Sequence, residues 1–80
     1  MTDYENIENR IQEKIFLTNQ RGGEVQNILL HPETVRELVY HNIVLPHSSS
    51  GSPQFYFYGI RVLRSFDIDV NDVLIIPKTH

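Results

Sequence analysis

One stretch limits what this chain can fold into. From Gln54 to Ser65 the sequence reads QFYFYGIRVLRS, with Phe55, Tyr56, Phe57 and Tyr58 in succession, then Gly59, then Ile60, Val62 and Leu63. Aromatic and β-branched residues suit a pleated, half-buried surface, so the stretch predicts a strand or a tight pair of strands. A glycine inside such a run marks a bulge, a turn or a close backbone approach. Division at Gly59 predicts strands at 54–58 and 60–66. With a one-residue shift of register there, Phe55, Phe57, Ile60 and Val62 form a core face, and Tyr56, Tyr58, Arg61 and Leu63 form the opposite one.

The rest of the chain is read around that element. Its 80 residues make one small domain of marginal stability, with hydrophobic content sufficient for a core. There is no cysteine, hence no disulfide and no thiolate metal site. The first residues, MTDYENIENR, are polar and acidic and do not resemble a signal peptide, and no apolar run approaches a bilayer span. These features predict a soluble protein.

Residues 3–19 read as an amphipathic helix. Thr2 and Glu5 have capping-box spacing, Tyr4, Ile7, Ile11 and Ile15 share one face, and Gly22 and Gly23 supply the stop. A strand follows at 25–30, where the continuous run Ile28-Leu29-Leu30 suits burial on both faces. His31-Pro32-Glu33-Thr34 opens a second helix over 32–41, with Val35, Leu38 and Val39 inward, Arg36 and Glu37 outward, and Asn42 as its C-cap. Residues 46–53, including the serine- and glycine-rich run His47 to Pro53, predict an exposed loop. Phe66, Ile68 and Val70 alternate with Asp67, Asp69 and Asn71, and a last strand is expected at 73–76. The resulting fold is a small single α+β domain, its two helices on one face of a mostly antiparallel sheet of three or four strands.

From Ile28 onward the order of elements resembles segments of HK97-type major capsid proteins of tailed phages. The likeness rests on an apolar strand, His31-Pro32-Glu33-Thr34, a short helix, a polar loop, and Tyr58-Gly59-Ile60-Arg61-Val62 before a final apolar strand, over residues 28–76. Shell proteins of that type are several times longer. The resemblance therefore implies a small phage-encoded protein using a similar unit, in the host cytoplasm or the virion, and it carries over no catalytic or binding residue.

Catalytic and metal chemistries find little support in the residues. Asp67, Asp69 and Asn71 resemble the start of a calcium loop, but Asp72 stands where glycine is needed and Lys78 where the bidentate glutamate is needed. His31, His41, His47 and His80 lack metal-ligand spacing. Ser48, Ser49, Ser50 and Ser52 have no nucleophile elbow, and Arg21-Gly22-Gly23 reads as a helix end rather than a phosphate loop. No enzyme activity and no cofactor are expected. Tyrosine and arginine are enriched where proteins bind proteins, and Tyr56, Tyr58, Arg61 and Arg64 gather on the most apolar stretch. These four are the candidate partner-binding residues of a non-enzymatic interaction protein that binds a protein partner or itself, possible inhibition included. A structural component of an assembly is the alternative. Aromatics beside arginine also occur on sheets that bind single-stranded nucleic acid, but a formal net charge of -3 favours a protein partner.

Overall fold

The structure, a computed structural model, describes residues 4–49 and 51–78. Helix α1 spans Tyr4–Gln20 and buries Ile7 and Ile11, with Tyr4 and Ile15 packed beside them. Its end is a Schellman turn: Gly22 takes φ 85°, its N–H donates to the Asn19 carbonyl at 3.0 Å, and the Gly23 N–H donates to the Thr18 carbonyl at 3.0 Å. The Thr2–Glu5 capping box lies outside the described residues. Strand β1 covers Val25–Leu30. Helix α2, Pro32–Tyr40, begins with His31 as N-cap, whose Nδ1 accepts the Glu33 N–H at 3.1 Å. Here the C-cap is His41. Asn42 sits one residue beyond at φ 62°, and the Ile43 N–H closes the turn on the Leu38 carbonyl at 2.8 Å.

Four more strands follow: β2 (Leu45–Ser49), β3 (Ser52–Phe57), β4 (Ile60–Arg64) and β5 (Leu74–Pro77). The loop expected over 46–53 is thus mostly a hairpin, with Leu45 opposite Tyr56 and Ser49 opposite Ser52. An outermost strand needs backbone bonds to one neighbour only, so a polar segment containing Pro46 serves there. Gly59 does not bend a strand. Tyr58 and Gly59, at φ 49° and 81°, are the central residues of a two-residue turn of the primed kind, with Phe57 paired to Ile60 across it. The strand expected to run to residue 66 stops at Arg64.

Residues 65–73 are turns and irregular backbone despite their period-two pattern. The carboxylate of Asp69 accepts the Asn71 N–H at 3.2 Å, an Asx turn that competes with a strand ladder. The helices then take up the segment's carbonyls. Thr34 Oγ1 donates to Val70, Lys14 Nζ donates to Val73 at 2.9 Å, and Arg10 donates to Asn71.

The five strands form one sheet in the order β2-β3-β4-β1-β5. Only β1 and β4 are parallel; every other pairing is antiparallel. Residues paired across strands share a face, which sorts the sheet without ambiguity. Ile28, Leu30, Phe57 and Val62 point to the helices and join Ile7, Ile11, Val35, Leu38, Val44 and Val73 in one core. Both helices lie on that side. A bulge between Val25 and Asn27 keeps Val25 against the same core.

Candidate functional site

The other side of the sheet carries no covering layer among the described residues. Pairing assigns to it Leu45 and Tyr56, His47 and Gln54, Arg61 beside Asn27, Leu63 beside Leu29, and Leu74 and Ile76 on β5. None of these side chains is fully buried; Leu45 and Leu74 are exposed, and Leu29, Leu63 and Ile76 are half-buried. The continuous run Ile28-Leu29-Leu30 therefore does not lie under two layers, as its composition suggests, because Leu29 faces the open side. Aliphatic side chains in this number on one exposed sheet face are the kind of patch that marks an interaction surface.

Its centre is the cross-strand pair Tyr56–Arg61. The Tyr56 hydroxyl donates to Gln54 Oε1 at 2.6 Å, two residues along the same face, and the His47 ring meets the Tyr56 ring edge-on at 6.4 Å between centroids. No strand of the sheet contains an aspartate or glutamate, although the chain has ten. Every described carboxylate belongs to a helix or a connection, and Arg61 forms no ion pair among the described residues.

The four candidate residues divide between three places. Tyr56 and Arg61 share the open face. Tyr58 lies in the β3–β4 turn, 74% exposed, with its ring edge-on to Phe57 at 4.7 Å. Beside it an apolar hollow of about 420 Å³ opens against Ile15 and Phe16 of α1. Arg64 projects to the helix side, where its guanidinium lies 5.0 Å from the centre of the Phe55 ring. It stands three residues from Arg61 on a strand, and such a spacing places side chains on opposite faces. The residues of β1 and β5 that single-sequence reasoning passes over are Leu29, Leu74 and Ile76. Alternation within β1 and β5 is the signal for them, but each strand is too short for its alternation to stand out from a simple apolar run.

Among the described residues no cluster of histidine, aspartate or glutamate is arranged to hold a metal ion. No described helix is long and apolar enough to cross a membrane. Comparison with family models, with curated proteins and with solved structures finds no match to this chain.

Proposed function

We propose that this chain is a non-enzymatic interaction module that binds a protein partner through the open face of its sheet. The observation that carries the reading is the one-sided core. Two helices cover one face of the five strands, and the other face keeps Leu29, Leu45, Leu63, Leu74 and Ile76 in or near solvent around Tyr56 and Arg61. Removing such aliphatic area from water contributes about 25 cal/mol per Å², against which the entropic cost of association is set. A tyrosine and an arginine at the centre supply the residue types that dominate binding energy at protein interfaces. Protein is favoured over single-stranded nucleic acid because strand pairing assigns only two rings to that face among the described residues, Tyr56 and His47, and the chain's net charge is -3.

The test uses the tagged chain to capture partners from a lysate of the cells that carry its gene, followed by the same capture with Tyr56→Ala/Arg61→Ala. The partner should be lost from the double variant while its circular dichroism spectrum stays native. Undiminished capture by that variant, or loss of its fold, would end the proposal.

A second reading follows from where two other exposed aromatic residues lie. Phe16 and Tyr58 border the hollow between α1 and the β3–β4 turn, away from the open face. Two separate apolar surfaces on one small domain suit a component of an open-ended assembly. Sedimentation over a range of concentrations separates the readings, because a subunit of that kind grows without limit and a binding module stops at a small closed species.

A further inference from the structure

Three arginines, Arg36, Arg61 and Arg64, line two clefts that share Phe55, Arg61 reaching the first of them from the open face of the sheet. Arg64 lies over the Phe55 ring, and the two residues form a wall shared by two adjoining clefts. The first cleft, about 370 Å³, opens where β3 leaves β4, and it is lined by Leu29, Pro53, Gln54, Leu63 and Arg61 as well. The second, about 240 Å³, lies toward α2, where Val35, Val39 and Arg36 complete it.

The first cleft has a cause in the sequence. Phe57 pairs with Ile60 and Phe55 with Val62, each pair facing across the β3–β4 ladder. The next hydrogen-bonded pair in that register, one step beyond Gln54 and Leu63, would be Pro53 with Arg64. Proline has no amide to donate, and the ladder ends at Phe55. Beyond that point β3 stays paired with β2 alone, so the two strands diverge and leave a gap floored by side chains of β4 and β1.

The electrostatics are one-sided. Among the described residues no carboxylate lines either cleft, and Arg36, Arg61 and Arg64 form no ion pair. In a chain of net charge -3 this is a local excess of guanidinium. Arginine presents a planar fork that matches carboxylates in pairs, and the walls around these three are leucine, valine and proline. Stacked bases are a poor fit, since Phe55 is the only aromatic residue lining the clefts among the described residues and Arg64 already lies over its ring.

We infer that the clefts on either side of Phe55 take an acidic segment of a partner protein, with an apolar side chain seated in the gap and carboxylates on Arg36, Arg61 and Arg64. This deepens the interaction-module reading and rests on it, since Arg61 belongs to both surfaces. Apolar burial supplies affinity, and the arginines select for negative charge and raise the association rate.

The test pans a random peptide display library on the purified chain and measures a synthetic copy of the most enriched peptide by fluorescence anisotropy. Enriched sequences should place aspartate or glutamate next to leucine, isoleucine or phenylalanine. Binding should weaken roughly tenfold or more in Arg61→Glu and in Arg64→Glu, less in the lysine variants, and progressively with added salt. Arg36→Glu sits on an exposed helical position, so it remains informative if a sheet variant loses its native spectrum. Peptides without acidic excess that lose affinity in Leu63→Lys and Arg61→Glu but not in Arg36→Glu or Arg64→Glu would overturn this inference and leave the open-face reading standing. An absence of enriched peptides would overturn both. Tighter binding of an oligothymidylate than of the peptides, or self-association that the arginine reversals abolish, would overturn the acidic-segment assignment in favour of nucleic acid or of a second copy.

Discussion

The hydroxyl of Thr34 donates to the carbonyl of Val70 at 2.6 Å, across 36 residues of sequence, and Thr34 is fully buried. It is the one buried polar residue of the core among the described residues, and its bond fixes the β4–β5 connection to the first turn of α2. Replacement by valine keeps the volume but leaves that carbonyl without its partner. A loss of about 1–3 kcal/mol is expected for Thr34→Val. Thr34→Ser keeps the donor, and its smaller loss reflects one missing methyl group. Urea unfolding checks this through the midpoints at constant slope. A Thr34→Ser midpoint below that of Thr34→Val would show that the methyl group, rather than the hydroxyl, holds the connection.

That contact also shows where sequence reasoning stops. The alternation of Phe66, Ile68 and Val70 with Asp67, Asp69 and Asn71 reads as a strand, because periodicity registers only local pattern. Side chains from two helices decide otherwise, taking the carbonyls of Val70, Asn71 and Val73. The helices were legible because their determinants are local. Tyr4, Ile7, Ile11 and Ile15 mark a face, Gly22 a stop, and Pro32 a start. Strand β1 was legible to its ends. The β2–β3 hairpin was not, since an outer strand of serine, histidine and proline is held by backbone bonds that leave no mark in composition. The parallel pairing of β1 with β4 joins residues more than thirty positions apart, Asn27 to Arg61 among them, and no local pattern encodes it. The same limit divided the candidate site. Tyr56 and Arg61 meet because their strands pair, whereas Arg64 belongs to the other face.

The turn at Tyr58-Gly59 gives a second prediction. Gly59 has φ 81°, and a β-carbon built there would meet nothing within 4 Å. The cost of a side chain is therefore conformational and not steric. Gly59→Ala should destabilise the domain by roughly 1–2 kcal/mol, the penalty of the left-handed region for an ordinary residue. Asparagine tolerates that region, so Gly59→Asn should lose clearly less. Equal losses in thermal unfolding would mean that the side chain meets an obstacle after all.

Phe57 is fully buried at the end of β3, between the turn and the helices. Its ring is the largest side chain in the core. Phe57→Ala should cost about 3–5 kcal/mol, from lost transfer energy and the cavity left behind. A domain of this length has a total stability on the order of 4–12 kcal/mol, so the variant should be partly unfolded at ambient temperature. Phe57→Leu should retain a cooperative transition with a lower midpoint. A native-like transition for Phe57→Ala would show that neighbouring residues collapse into the space.

The division of the arginines gives the last prediction. Arg64 and Phe55 are in contact as a cation and a ring face at 5.0 Å, and Arg64 is exposed at its other edge. A pair of this kind at an exposed site is worth about 0.5–1 kcal/mol. A double-mutant cycle on Arg64→Ala and Phe55→Leu should return a coupling of that size. The parallel cycle on Arg61→Ala and Phe55→Leu should return a value near zero, because Arg61 points to the opposite face and is paired with Tyr56. In stability terms Arg61→Ala should then be nearly silent, with no more than the few tenths of a kcal/mol typical of a cross-strand neighbour. A substitution with little effect on folding and a large one on partner capture is the behaviour of a surface residue used for binding. A coupling between Arg61 and Phe55 equal to that of Arg64 would contradict the assignment of the two guanidinium groups to opposite faces of β4, and the open face would lose its central cation.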